Sequence, residues 1–306
     1  MAKNSGYNAK EWTPAEILQK CPLCSSSRIA TLYKTKDFIS QCRDCGFAFS
    51  AFIPTQAELE NYYLHYHRYT EVSETLRKRY NQILDFLEPY KKLNQLIEIG
   101  CGEGFFLEEA VKRGWNVCGT ELASPARDIC KSKNISVFES TEDLFKSISG
   151  KADVILSLEV MEHLPSPHPE VSRYNELLRN GGAFYLTTPN FNSLSRKILG
   201  EDWSVYIYPE HLMYYTPSTI NRLFHDHGFR KVKIKTDGIS YARVIYSIKM
   251  RKNVDSAKAY DFNSVDRNLR NKLDENALLR SAKYTANTIL GLTGSGDTLK
   301  ALFEKK

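Results

Sequence analysis

Two C-x-x-C pairs, Cys21-Pro-Leu-Cys24 and Cys42-Arg-Asp-Cys45, stand 17 residues apart near the start of the 306-residue chain. Two tight turns of this kind can present four thiolates tetrahedrally to one zinc ion. Four sulfur ligands leave no position for water or substrate, so Cys21, Cys24, Cys42 and Cys45 predict a closed, structural site that supports folding. Cysteine ligands also suit iron, and a zinc ribbon can serve nucleic-acid binding. The first 60 residues carry 7 basic and 6 acidic side chains, a balance that argues against a nucleic-acid module.

A second pattern, Glu98-Ile-Gly100-Cys-Gly102-Glu-Gly104, joins the apolar run 95–100 to a helical pattern over 104–113. Glycines let the backbone turn sharply and approach a ligand closely, while the helix N-terminus offers unpaired amides. Glu121 follows Gly100 by 21 residues and ends the next apolar run, where a carboxylate can accept both hydroxyls of a ribose. A dinucleotide fingerprint would want glycine at position 105, where Phe105 stands, which disfavours nicotinamide and flavin dinucleotides.

These residues need a scaffold that brings a strand end, a turn and a helix start together. From residue 95 strand-like runs at 95–100, 115–122, 135–138, 152–160, 182–188 and 229–236 alternate with helical patterns at 104–113, 124–132, 141–149, 168–179 and 217–227. That order predicts an α/β, Rossmann-like doubly wound sheet whose ligands bind beyond the strand C-termini. We expect a zinc ribbon over 1–53 and a helical linker over 54–84, in which Thr55 and Glu58 form a capping box. A core over 85–239 and a helical insertion with the last strand over 240–306 complete the chain. Tyr62, Tyr63, Tyr66 and Tyr69 with His65 and His67 form an aromatic cluster that lines a substrate mouth or packs between domains.

At the glycine turn the sequence resembles the class I S-adenosylmethionine-dependent methyltransferases, over about residues 85–236. The resemblance implies a seven-stranded sheet whose last strand, here 298–306, is antiparallel. It implies that Glu98, Gly100, Gly102 and Gly104 surround the methionine part of S-adenosylmethionine and that Glu121 holds the ribose. ADVILSLEVMEHLPSP is similar to the family's fourth strand and following loop, so that Ser157, Leu158 and Glu159 flank the cofactor. Where many members place an aspartate near the adenine, this chain offers Ser140, with Glu142 or Asp143 as substitutes.

Methyl transfer from a sulfonium is an in-line displacement that needs alignment, exclusion of water and often a proton acceptor. Tyr208-Pro-Glu210-His211 lies between the fifth and sixth strands. With the upstream cysteine module this Y-x-E-H pattern is similar to methyltransferases acting on nucleotide-linked or glycan-linked sugars. Because those that methylate carbon carry a large further domain, O-methylation of a sugar hydroxyl is the expectation, with C-methylation as the alternative. His211 is the expected base, oriented by Glu210 or Tyr208, and His163 is the second candidate. His225 and His227 are expected at the surface.

Composition excludes wholesale disorder and a membrane-embedded protein: 42% of residues are hydrophobic, 25% are charged, and no apolar run approaches the ~20 residues of a membrane span. The N-terminus lacks the apolar core of a secretory signal, and the seven cysteines are an odd set, which together predict a cytoplasmic setting. Residues 229–306 hold 17 Lys and Arg against 8 Asp and Glu, so the +6 formal charge sits in the C-terminal quarter. There Val265, Leu269, Leu273 and Ala277 repeat every fourth residue, as in an amphipathic helix. Packing on the core is the expected use of that lobe, and its Lys249, Arg251, Lys252, Arg267, Arg270 and Lys272 leave open a lid or a peripheral membrane contact. The expected partner is a small-molecule or glycan acceptor. Nucleic acid is not expected, since SLEV stands after the fourth strand in place of an amino-methylation motif.

Overall fold

A computed structural model describes residues 16–64, 71–148, 151–238, 285 and 287–306. In chain order the elements are β1 (Glu16–Ile17), β2 (Ile29–Thr31), β3 (Ile39–Cys42), β4 (Ala48–Ser50), β5 (Phe52–Ile53), α1 (Gln56–Leu64) and α2 (Glu74–Leu87). The alternating core follows: β6 (Gln95–Ile99), α3 (Phe105–Lys112), β7 (Asn116–Thr120), α4 (Ser124–Ser132), β8 (Ser136–Phe138), α5 (Thr141–Ser147), β9 (Ala152–Leu158), α6 (Pro167–Leu177) and β10 (Leu178–Pro189). Then come α7 (Leu194–Leu199), β11 (Met213–Tyr214), α8 (Pro217–Asp226), β12 (Phe229–Asp237) and β13 (Thr298–Lys305), with residues 287–292 helical just before β13. The amphipathic pattern at 265–277, the basic cluster of 249–272, and His65, Tyr66, His67 and Tyr69 lie outside the described residues.

Seven strands form one sheet in the order β12-β13-β10-β9-β6-β7-β8, with β13 antiparallel, as expected from the sequence. The parallel neighbours β10, β9, β6, β7 and β8 carry the ladder that fixes the strand ends. β6 registers Glu98 against Leu156 and Ile99 against Ser157 of β9, so Glu98 and Ser157 stand one residue apart on neighbouring strands and on opposite faces of the sheet. β10 starts earlier than its apolar run predicts, because Leu178 pairs with Ala152 before an irregularity at Gly181 and Gly182 returns the strand to register at Ala183. A Cβ at Gly182 would stand 2.9 Å from the Arg179 carbonyl, so a larger residue cannot make that bend.

The helices start where local chemistry starts them. Thr55 and Glu58 close the expected capping box, the Glu58 carboxylate accepting from the Thr55 amide at 2.7 Å and the Thr55 hydroxyl from the Glu58 amide at 3.1 Å. Ser73, Ser140 and Ser193 cap α2, α5 and α7. The chain divides into two compact units. A sheet unit takes Thr55–Thr187, Asn221–Lys233 and Ala301–Lys306, and a cysteine unit takes Met1–Pro54, Thr188–Ile220 and Ile234–Lys300. The first is built on a core that includes Leu84, Leu96, Phe106, Leu107, Val154 and Leu156, the second on Phe38, Ile39, Phe191, Trp203, Val205 and Tyr214. No helix among the described residues is long and apolar enough to cross a membrane.

Asp153, fully buried at the start of β9, ties down the loop that leads into β6. Its carboxylate accepts from the main-chain amides of Lys92, Leu93 and Gln95 and, at 2.5 Å, from Arg179 Nε. Burial alone would raise its pKa, but Arg179 and the three amides hold it below the ordinary 3.8. A depressed carboxylate stabilises the fold above its unfolded pKa and loses that contribution as pH falls through the folded value. We therefore expect Asp153→Ala to cost about 3–5 kcal/mol in urea unfolding at pH 7. The gap to the parent protein should close in strong acid, and a pH-independent gap would contradict this account.

Candidate active site

In the sheet unit β6 ends in a turn of three glycines with φ of 67° at Gly100, 52° at Gly102 and 75° at Gly104, a region that side chains rarely adopt. A Cβ at Gly100 would stand 2.5 Å from Val160 Cγ2, and one at Gly104 would stand 2.9 Å from Cys130 Sγ. At Gly102 a Cβ would meet nothing within 4 Å. Packing thus dictates the outer two glycines, and the middle one borders open space.

Three polar side chains face the same strand ends. Glu121 accepts from the Gly102 amide at 2.9 Å and the Ala123 amide at 2.8 Å, which leaves each of its oxygens a further lone pair. Glu98 is 4% exposed, and neither its Oε2 nor the buried Ser157 Oγ has a hydrogen-bond partner among the described residues. Burial first, then the nearby Cys130 and Glu121, hold the Glu98 carboxyl well above its ordinary range. Burial also raises Glu121, against the pull of its two amides. Two desolvated carboxyls and an unpartnered hydroxyl suit a ligand that brings positive charge and hydroxyl donors.

The loop after β9 adds further groups. β9 stops at Leu158, short of the expected 160, because Glu159 takes φ of 56° while its amide bonds the Thr187 carbonyl at 2.9 Å. Leu158 is half-buried against the core. His163 Nδ1 lies 3.1 Å from the Tyr63 hydroxyl, and its Nε2 lies 3.8 Å from Glu162. Ser140, offered as an adenine contact, caps α5: its hydroxyl accepts from the Asp143 amide at 3.1 Å and donates to the Asp143 carboxylate at 2.6 Å. Glu142 pairs with Lys146 at 2.6 Å. His225 is exposed as expected, but His227 is half-buried and shares a 2.8 Å hydrogen bond with His168; burial first, then charge repulsion from His168, lowers its pKa.

The cysteine unit brings its four thiols within 4.8 Å of one another, with Cys21 and Cys45 3.6 Å apart and Cys24 and Cys42 3.6 Å apart. Tetrahedral coordination with Zn–S bonds of about 2.3 Å has edges of about 3.8 Å, so the arrangement fits the metal that the spacing implies. The two turns repeat each other. Cys21 bonds the Ser26 carbonyl and receives Ser25, and Cys42 bonds the Phe47 carbonyl and receives Gly46, with Ser25 and Gly46 both left-handed at 60° and 72°. The same unit holds Tyr208, Glu210 and His211. His211 Nδ1 is 2.7 Å from the Val205 carbonyl, and a carbonyl can only accept, so the ring proton sits on Nδ1 and Nε2 keeps its lone pair in the neutral form. Tyr208 packs its ring on Phe38 and Phe52, with centroids 5.7 and 6.4 Å away, and Glu210 is buried.

The family described as methyltransferase domain matches residues 67–234, more than half of the chain. The chain belongs to this methyltransferase family. Its enzyme class is S-adenosylmethionine-dependent methyl transfer. It is similar to the ubiquinone biosynthesis O-methyltransferase of Chromobacterium violaceum, 24% identical over 192 residues that span 58% of this chain and 81% of the relative. It is also similar to the protein of that name from Methylococcus capsulatus, 25% identical over 202 residues spanning 60% and 84%. Among solved structures, an S-adenosylmethionine-dependent methyltransferase from Archaeoglobus fulgidus superposes with a TM-score of 0.50 at 18% identity, covering 82% of this chain and all of the other, a likeness of fold.

Two contacts of the methyltransferase left no mark in the sequence: the Val205 carbonyl on His211, because a main-chain acceptor has no residue type, and the pairing of Tyr63 with His163, 100 residues apart. Glu98 supplies a direct test of the buried charge. A carboxyl raised above its unfolded pKa of 4.5 favours the folded state only while protonated, so stability falls as pH rises through the folded value. Glu98→Gln should stabilise the ligand-free enzyme by about 1–3 kcal/mol at neutral pH and not in acid. Thermal melts across pH check this; equal melting of both proteins at neutral pH would contradict it.

Proposed function

We propose that this methyltransferase transfers the methyl group of S-adenosylmethionine to a hydroxyl oxygen of a sugar carried on a nucleotide or a glycan, with His211 receiving the proton. The observation that carries this reading is the Nδ1–Val205 hydrogen bond, which leaves His211 Nε2 as a lone-pair base. The likeness of Tyr208-Pro-Glu210-His211 to sugar methyltransferases supplies the acceptor class, and the O-methyltransferase name of the relatives favours oxygen over carbon. Those relatives favour a second reading, a phenolic hydroxyl as acceptor.

In this reading Glu98, Gly100, Gly102 and Gly104 hold the methionine part of the cofactor, Glu121 the ribose, and Ser157, Leu158 and Glu159 flank it. The cofactor supplies the electrophilic methyl group when bound. The chain's own contribution is alignment, worth about 7–11 kcal/mol in favourable cases, and a base worth about 10²- to 10⁴-fold in rate. His163, held by Tyr63, is the second candidate for the base. The four cysteines hold structural zinc, in a reducing compartment that we take to be the cytoplasm.

The test is a panel of nucleotide sugars, glycan fragments and phenols incubated with S-adenosylmethionine, with products detected by mass. A methylated sugar supports the first reading, and a product from phenols alone supports the second. With the selected acceptor, His211→Ala should lose about 10²- to 10⁴-fold in turnover. Cofactor affinity should stay the same in the variant. A loss below about tenfold would move the base elsewhere. Metal analysis should find one zinc per chain.

A further inference from the structure

The cysteine centre and the His211 segment are parts of one small sheet. Its strand order is β11-β4-β3-β2, so the strand that closes it comes from the segment just after His211 and not from the N-terminal region. The turn between β3 and β4 is itself one of the two thiol turns: Cys42 is the last residue of β3, and Cys45 lies three residues before β4. β4 then grips three consecutive positions beyond His211. Ala48 pairs with Tyr214, Phe49 pairs with Met213, and the Ser50 amide bonds the Leu212 carbonyl at 2.6 Å.

The grip reaches His211 on both sides. The Tyr214 hydroxyl donates to the His211 carbonyl at 2.9 Å, and the His211 amide bonds the Ile207 carbonyl at 2.7 Å. Tyr208 lies against Phe38 and Phe52, which flank β3 and β4 in the chain, and Tyr206 meets Tyr33 at a ring distance of 5.6 Å and Tyr214 at 5.2 Å. Lys36 donates to the Tyr206 carbonyl at 3.3 Å. Two-residue strands such as β11 have almost no stability of their own and hold only where the neighbouring strand is fixed.

We propose that the four-cysteine centre positions the base: bound metal fixes the β3–β4 turn, the turn fixes the register of β4, and β4 holds Leu212–Tyr214 and with them the ring of His211. The inference rests on the zinc and His211 assignments made above and adds that the two are one device. Cys42 and Cys45 are then positioning residues for His211. Ordinary folding support would act on the whole chain, whereas this linkage acts on one segment.

The experiment uses the full-length, metal-loaded protein and no acceptor, so it stands apart from any failure to find the substrate. Zinc is withdrawn with a chelator and restored, while hydrogen exchange is followed by peptide, histidine ring nitrogens are followed by NMR, and cofactor affinity is followed by calorimetry. We expect exchange across 205–216 to accelerate by about tenfold or more, and His211 to lose its single Nδ1–H tautomer, with both restored by added zinc. Peptides across 95–125 and cofactor affinity should be unaffected. Tyr214→Phe, which leaves the cysteines intact, should disturb the His211 ring signals at full metal content. Unchanged protection and tautomer without metal would overturn the proposal, as would a loss of protection spread over the whole chain or a Tyr214→Phe ring spectrum identical to the parent's.

Discussion

A carboxylate taken out of water must be neutralised, paired or protonated, and the centre of this structure puts two of them where neither is fully answered. Glu98 stands two residues before the glycine turn with an oxygen that has no hydrogen-bond partner among the described residues, and Glu121 is held nearby by two main-chain amides. The sheet brings them together: β6, which carries Glu98, pairs with β7, whose end leads into Glu121, and the amide of Gly102 donates to Glu121. Burial raises both carboxyls, so a group that answered their charge would stabilise this part of the fold.

The glycines follow from the same demand. The turn must bring its backbone over the strand ends without side chains in the way, and only the middle position gains open space from this. Such a constraint is visible in sequence because it acts through residue types. Gly100, Gly102, Gly104 and the distance to Glu121 announced the turn, just as Thr55 and Glu58 announced the start of α1. The central strands were legible for the same reason, since the apolar runs of β6, β9 and β10 are buried on both faces of the sheet.

What stayed hidden acts through the main chain or through very short elements. Nothing in Met213–Tyr214 reads as a strand, because two residues have no periodicity, yet this pair joins the cysteine sheet to the His211 segment. The Val205 carbonyl that sets the His211 tautomer has no signature either. Ser140 resembled a ligand contact in place and polarity, but its hydroxyl serves the end of α5. Ser25 takes the same left-handed backbone as Gly46 at the matching place in the other thiol turn, a bend that its residue type does not announce. The two cysteine pairs, by contrast, announced the cluster of four thiols, since thiol spacing constrains geometry directly.

The central claim is that the space beside Gly102, above Glu98 and next to Glu121, is where S-adenosylmethionine binds. Calorimetric titration of S-adenosylmethionine into the parent protein and into Gly102→Val and Glu121→Ala tests it most directly. A branched side chain would fill that space and strain a residue held at φ of 52°, and removal of the carboxylate would free the ribose. The account predicts clear binding by the parent and a loss of at least about tenfold in each variant, worth about 1.4 kcal/mol. Parent-like affinity in both variants would contradict it.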